Sequence, residues 1–312
     1  MTASAATRTS SRVRRAAVRF AVLVVAASTL LTAGCTTAAP EPAPMNPRPS
    51  QQALDAAWPT ASTTGVPAGV RLKQYDGPLE ITVPGTVIDG YEIEGTIVIL
   101  APKVTIRNSR VYGRIDTGDA NTYRGTMIQR VEIIGPYSGG DGGHPAVGYT
   151  GFTCDGCNVR GWTNGFGLVA DVTVKNSWVH DIIVHGDPAN GGSHNQAILS
   201  LGGENFTIVG NRLDAGEAPN VTAALALMSQ LEPFKNVLVQ DNLFDGGGYC
   251  VYAGDAGEHG ATNTRFIDNT FGDKYSSTCG GFGPVTAFTS GSGNRWDGNV
   301  LQSTGQPVSV TL

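Results

Sequence analysis

From residue 86 onward the chain repeats one short alternation of apolar and polar positions. The clearest copies are Val104-Thr-Ile-Arg-Asn-Ser-Arg-Val111, Val172-Thr-Val-Lys-Asn-Ser-Trp-Val179 and Phe206-Thr-Ile-Val-Gly-Asn-Arg-Leu213. Others begin at Val237, Thr264 and Asn294, and weaker ones at Thr86, Thr126 and Phe152. The nine starts are unevenly spaced, closest between Thr86 and Val104 and furthest apart between Val172 and Phe206. The third position reads Ile88, Ile106, Ile128, Cys154, Val174, Ile208, Val239, Phe266, Trp296, and the eighth Ile93, Val111, Ile133, Val159, Val179, Leu213, Phe244, Phe271, Leu301. Both columns are apolar throughout. A short period-2 strand, a polar corner and a second short strand account for the pattern. A further β-rich run, such as 95–100, 165–169 or 284–289, usually precedes each copy.

Three short strands per turn, with like residues stacked over like, make an all-β parallel β-helix of about nine or more rungs. At about 4.8 Å per rung, nine rungs give a rod of about 43 Å. Positions five and six hold Asn108, Asn176, Asn211, Asp241, Asn242, Asp268, Asn269 and Asn299. A ladder of side-chain amides serving a tight corner is the expected role of that column, and no catalysis is placed there.

Composition fits this picture. Gly supplies 42 of 312 residues and charged residues only 15%, while 40% are apolar, which disfavours a coiled coil and a disordered chain. The net charge of −5 hides an asymmetry, because residues 1–34 carry five Arg and no acid. Without them Lys+Arg falls from 21 to 16 against 26 Asp+Glu, leaving −10. A nucleic-acid partner needs the opposite field.

Those first residues read as an export signal. Arg12 to Arg19 form a basic segment and Phe20 to Leu31 an apolar run of 12 residues, too short to cross a bilayer of about 30 Å. The ending Leu31-Thr32-Ala33-Gly34-Cys35 resembles a bacterial lipoprotein signal, which implies a lipid anchor on Cys35; Thr32 departs from the usual Leu. Ordinary cleavage, leaving a soluble secreted protein, is the alternative, and Arg14-Arg15 is a weak twin-arginine signal. Residues 35–65 form a Pro/Ala/Thr-rich tether with six prolines, extended and semi-rigid, with a helical turn or two expected over 51–58. The solenoid is expected over 66–312.

The opening Gly65-Val66-Pro67-Ala68-Gly69-Val70 and the repeated Val-Thr-Ile-x-Asn-Ser rung resemble the bacterial secreted right-handed parallel β-helix proteins of the pectate-lyase-like superfamily. Such a resemblance speaks to fold and poorly to reaction. On a rod of this kind Cys154 and Cys157 lie at least three rungs, about 14 Å, from Cys250 and Cys279. That exceeds disulfide reach, leaving the pairs Cys154–Cys157 and Cys250–Cys279. For the first pair a buried inert thiol, a redox site and zinc remain alternatives.

Chemistry is expected in the longest and most polar interval, the one between Val172 and Phe206. There Trp178, His180 and Asp181 precede a loop with His185 and Asp187, and His194-Asn195-Gln196 follows. With Val179 inward, Trp178 and His180 share the outward face, an aromatic beside an imidazole and a carboxylate. His180, Asp181, His194, Asn195 and Gln196 are the candidate catalytic set, although a strand end and a solvated loop explain the same residues structurally. The segment 194–199 resembles the Asn-Thr-Asp-Gly-Ile-Asp strand of polygalacturonase-type hydrolases, but Gln196 and Leu199 stand where that family has its carboxylates, which puts the paired-carboxylate mechanism in doubt. Lyases of the superfamily use Ca²⁺ and a basic residue; by that resemblance Arg212 and Lys235 are candidate bases and Asp181, Asp187, Asp214 and Glu217 candidate calcium ligands. Tyr249 and Tyr252 alternate correctly for one exposed ring that stacks on sugar.

The resulting expectation is a cell-surface β-helix that degrades or modifies an extracellular polysaccharide, held to the membrane through Cys35. A non-catalytic carbohydrate-binding or adhesion module is the alternative, favoured by Gln196, and a structural spacer is a third.

Overall fold

The computed structural model describes residues 58–136 and 143–310. The export signal, Cys35 and the tether up to residue 57 lie outside the described residues. Within them the chain is a stack of parallel strands on three faces. Face 1 is a ten-strand sheet running from Lys73–Gln74 through Trp178–His180 and Arg212–Gly216 to Val300–Leu301. Faces 2 and 3 belong to one sheet that bends, and the 12-residue strand Asn164–Lys175 runs through both. Face 2 carries strands such as Asn195–Ser200 and Tyr249–Ala253, and face 3 strands such as Thr105–Arg107 and Arg295–Asp297. Each coil runs face 2, face 3, face 1, and nine coils are complete.

The two apolar columns stack without a slip. The third-position residues pair in strict order from Ile88 with Ile106 down to Phe266 with Trp296. The eighth-position residues do the same from Ile93 with Val111 down to Phe271 with Leu301. All but the last member of each column are buried in one continuous core. Each such side chain contributes about 1.5–3 kcal/mol on removal from water. The open end beyond the last rung is crossed by the chain's own terminus, where Val308 is buried and its carbonyl accepts the Trp296 indole N–H at 2.7 Å.

Positions five and six, expected to form one polar corner, have separate jobs. Position five is the corner. All nine of its residues, Gly90, Asn108, Arg130, Gly156, Asn176, Gly210, Asp241, Asp268 and Gly298, have φ between +48° and +79°. Gly, Asn and Asp tolerate that region best, which explains the composition of the column. Position six points inward and makes the amide ladder. Asn211 Nδ2 donates to Asn242 Oδ1 at 2.9 Å, Asn242 to Asn269 at 3.0 Å and Asn269 to Asn299 at 2.9 Å. The same oxygens accept the backbone N–H one rung above. Ser109 and Ser177 stand in earlier rungs, where their hydroxyls accept the Tyr91 and Cys157 N–H.

A second corner, unanticipated from the pattern, lies at the residue just before each copy. Gly85, Lys103, Gly125, Gly151, Asp171, Asn205, Asn236, Asn263 and Gly293 all have φ between +51° and +80°. Here the amides lie outside: Asn205 donates to Asp171 at 2.8 Å, Asn236 to Asn205 at 3.2 Å and Asn263 to Asn236 at 2.9 Å.

Both expected disulfides are present, Cys154–Cys157 across the inside of a corner and Cys250–Cys279 between a face 2 strand and the loop one coil later. Two structural disulfides fit an oxidising, extracytoplasmic location. Residues 58–65, expected to end the tether, are packed on the side of the rod instead. Pro59 and Thr64 are buried, Gly65 N–H bonds the Gly156 carbonyl at 2.8 Å, and Asn158 donates to the Thr64 hydroxyl at 3.1 Å.

Removing one ladder amide orphans several buried groups at once. Asn242→Ala is expected to lower unfolding free energy by on the order of 2–4 kcal/mol, each unmet group costing about 1–3 kcal/mol. Asn176→Ala, at an exposed corner, is expected to cost about 1–2 kcal/mol, chiefly through its left-handed backbone. Urea unfolding followed by circular dichroism compares the two.

Candidate functional site

The outward side of face 1 carries a polar trough whose floor follows from register. One column runs Arg110, Glu132, Asn158, Trp178, Arg212. Position nine of the repeat supplies its neighbour, with Arg160 beside His180 and, further down, Asp214 directly over Asp245. At the upper end Arg110 and Arg160 bond Glu132 at 2.6 and 2.7 Å. Residues 61–66 wall a cleft of about 370 Å³ over these residues, Trp178 and His180.

Trp178 and His180 are on one face, as expected. Their rings stack with centroids 3.8 Å apart, and Arg212 lies over the indole at 5.1 Å. His180 Nδ1 meets Asp181 Oδ2 at 2.9 Å and Nε2 meets Asn158 Oδ1 at 3.0 Å. Thr64 donates its hydroxyl proton to the Thr60 carbonyl, so the Asn158 amide donates to Thr64 and turns its oxygen to the imidazole. Both ring nitrogens therefore face acceptors, while burial lowers the His180 pKa against the opposing pull of Asp181. The ring is fixed in the floor and no nitrogen points into open space. Asp181 has φ +49° at the turn that leaves face 1.

That turn separates the expected catalytic residues. His180 is on face 1, whereas His194, Asn195 and Gln196 begin face 2, so the five do not share an outward surface. His194 is exposed. Asn195 is fully buried, where its amide bonds the Thr163 and Ile183 carbonyls at 2.9 and 2.7 Å and its oxygen takes the Ser193 hydroxyl at 2.8 Å. It pins the base of the 181–194 loop. Gln196 is 4% exposed, and its backbone N–H bonds Asn164. The calcium candidates are also dispersed. Asp187 caps the short turn Pro188–Asn190, Glu217 is exposed, and Asp214 is committed to cationic side chains. Among the described residues no three His, Cys, Asp or Glu side chains converge as a metal site. Of the two candidate bases, Arg212 is in the trough; Lys235 is exposed beside Glu204 and Thr262 on the strand Phe234–Gln240, away from it. Tyr249 and Tyr252 are both partly exposed on face 2, edge to face at 5.9 Å, with Phe282 5.8 Å from Tyr249.

The centre the sequence reading missed is the carboxyl pair. Asp214 Oδ2 accepts from Arg212 Nε at 3.1 Å, Trp178 Nε1 at 3.2 Å and Lys274 Nζ at 3.4 Å. Asp245 Oδ2 accepts the Lys274 backbone N–H at 3.3 Å. Each carboxyl keeps its Oδ1 buried and without a partner among the described residues. Burial, and next the charge of Asp214, push Asp245 up to about 7. Burial works against the Lys274 ammonium, but Tyr275 and Asp214 outweigh it and hold its pKa above the usual lysine value. Burial also raises Tyr275. Lys274 and Tyr275 belong to the loop that ends at Cys279, so the second disulfide anchors the cover of the pair. A signal was present: Leu213-Asp214 and Phe244-Asp245 put an acid at the same position of two successive copies.

No family model, curated protein or solved structure matches the chain. Its chemistry is read from its own residues.

Asp245 gives a measurable signature. Its pKa is higher folded than in the unfolded chain, where 3.8 is the ordinary value. The folded state therefore holds this proton more tightly, and the stability it contributes is present below about pH 4 and lost as pH rises through about 7. Asp245→Asn removes that titration. The unfolding free energy of the variant relative to wild type should rise by on the order of 2–4 kcal/mol between pH 4 and pH 8. Urea midpoints across that range read the difference, and parallel curves would remove the assignment.

Proposed function

We propose that this chain is an exported, cell-surface β-helix that cleaves an extracellular polysaccharide by glycoside hydrolysis, with Asp214 and Asp245 as its two working carboxyl groups. The observation that carries the reading is their inequivalence: Asp214 is paired with Arg212 and Lys274, Asp245 is pushed up to about 7, and both keep Oδ1 without a partner among the described residues. Pairs whose environments separate their protonation states divide acid from base roles. In this reading Asp245 protonates the departing glycosidic oxygen and Asp214 attacks the anomeric carbon; the deprotonated Asp245 then takes a proton from the water that releases the sugar. Residues one rung apart, about 4.8 Å, suit the spacing of about 5–5.5 Å used in double displacement better than the wider gap that admits a water. Arg212 and the Trp178 indole N–H position Asp214, the stacked Trp178 and His180 rings form the floor, and substrate entry requires the Lys274–Tyr275 segment to move aside. Calcium has no step here, since its candidate ligands do not converge. The Leu31–Cys35 signal supports a lipid anchor at Cys35, and Tyr249, Tyr252 and Phe282 add stacking surface on face 2.

A second reading, carbohydrate binding without cleavage, is favoured by one observation: Asp214 and Asp245 are each only 2% exposed beneath that cover. Incubation with neutral and uronate-containing glycans, with and without Ca²⁺, separates the cases. Hydrolysis gives new reducing ends without ultraviolet-absorbing unsaturated products. Asp245→Asn should reduce turnover by about 10²-fold or more with binding retained. Binding by wild type with no product from any glycan supports the second reading, and unsaturated products would replace hydrolysis by elimination.

A further inference from the structure

A second set of unengaged polar atoms lies up the rod from the carboxyl pair, with Trp162 two to three rungs and Arg114 four to five rungs away. At the corner from face 1 to face 2, Gly113 and Gly135 pack so closely on the coil above or below that a Cβ would meet the Gly95 carbonyl oxygen at 2.1 Å and that of Gly161 at 2.0 Å. With no side chains there, the coils stack backbone on backbone. A cleft of about 500 Å³ opens over this corner, bounded by Tyr112, Arg114, Ile134, Pro136, His144 and Trp162.

Two of these residues have buried donors left over. Arg114 is fixed through Nη1, which pairs with Asp116 at 3.2 Å, and its side chain is 12% exposed. Its guanidinium carbon lies 5.8 Å from the centroid of the Tyr149 ring and interacts with that phenol, while Nε and Nη2 are buried and make no hydrogen bond of good geometry among the described residues. Trp162 is 4% exposed, and its Nε1 is likewise buried without a partner there. Arginine never deprotonates, so beside Asp116 and Tyr149 it still presents a charged side-on edge with N–H groups to give. The Nε–Nη2 edge is the fork that receives two oxygens of a planar or tetrahedral oxyanion, and an indole N–H donates to a third position. Tyr112, 42% exposed, offers a ring face at the mouth.

We infer that this cleft binds an oxyanion substituent, a carboxylate or a sulfate ester, carried by the saccharide that the rod engages. The saccharide part rests on the proposed function; the oxyanion part rests on Arg114 and Trp162 alone. The ligand approaches with its ring against Tyr112 and its anionic group inward, where two guanidinium N–H groups and one indole N–H close on it. Asp116 keeps the guanidinium plane fixed by holding the remaining nitrogen. Bound at this corner, an extended chain reaches the Asp214–Asp245 trough further along the rod, two to three rungs past Trp162.

The test follows the indole N–H signals of the full mature chain by two-dimensional NMR, with Trp162→Phe identifying the relevant one. Sodium sulfate, a carboxylated oligosaccharide, a sulfated oligosaccharide and a neutral oligosaccharide of equal length are titrated separately. A saturable shift of the Trp162 signal with at least one anionic probe, and none with the neutral one, is expected. Saturation by inorganic sulfate as tightly as by the saccharides confines the site to free anions and overturns the saccharide part. Arg114→Gln should weaken the interaction at least tenfold, and Arg114→Lys, which keeps the charge and loses the fork, by an intermediate amount. No shift with any oxyanion, equal binding of the neutral sugar, or unchanged affinity in both folded Arg114 variants overturns the inference. The readout needs no turnover, so failure of the hydrolytic reading is scored separately, by product analysis.

Discussion

In a parallel stack every strand's N–H and C=O groups point to the coils above and below, and a slip of one residue would turn each interior side chain outward. Nine coils of this chain pair without such a slip at the third and eighth positions of the repeat. Register holds because every coil bends at two fixed places, each a left-handed residue, whatever the length of its loops. Short coils, such as the one from Thr86 to Val104, therefore coexist with the long one from Val172 to Phe206. The extra residues leave at corners while the paired segments stay aligned.

Strict register stacks like on like, which has opposite consequences for different side chains. Asn over Asn is favourable, because an amide donates to one neighbour and accepts from the other, and the buried ladder from Asn211 to Asn299 does this. Asp over Asp is unfavourable, because two carboxylates repel. At Asp214 and Asp245 the conflict is relieved by Arg212 and Lys274 on one member and by a proton on the other. One coil on, the same position is Gly272, where a Cβ would lie 2.0 Å from Asp245 Oδ2. The glycine leaves the room in which the second carboxyl sits. Fold geometry thus produces the raised Asp245 pKa from which its proposed acid role derives.

The fold was legible because it repeats: any column sampled nine times shows its rule, however uneven the spacing between copies. The second corner escaped notice since Gly, Lys, Asp and Asn share no side-chain property, only a backbone conformation that Lys103 also adopts. The site was less legible. Alternation puts Trp178 and His180 on one outward face, and register adds Arg212, which only the resemblance to lyases had singled out. His194, Asn195 and Gln196 were joined to them by closeness in sequence, yet the turn at Asp181 moves the chain to another face. Conversely, Asp245 is a whole coil away from Asp214 along the chain and pairs with it directly in space. On a solenoid, proximity is measured in repeat positions rather than along the chain, and both acids occupy position nine, one place beyond the apolar column that makes the repeat visible.

Hydrogen-bond accounting sharpens the distinction between a polar residue that builds the rod and one left over for chemistry. His180 and Asn195 look functional by residue type, yet each polar side-chain atom they present already has a partner. Several other buried atoms, such as Thr126 Oγ1, Thr264 Oγ1 and Gln196 Oε1, lack partners among the described residues but stand as single neutral groups. Charged or strongly directional groups left over in company are rarer. Asp214 with Asp245 on face 1, and Arg114 with Trp162 at the neighbouring corner, are two such groupings, one offering oxygens and the other N–H donors. Their complementary character suits a single extended ligand that presents an electrophilic carbon and a protonatable oxygen at one place and an anionic substituent at another. A rod whose periodic positions are satisfied by neighbours above and below has little other reason to keep such atoms unmet.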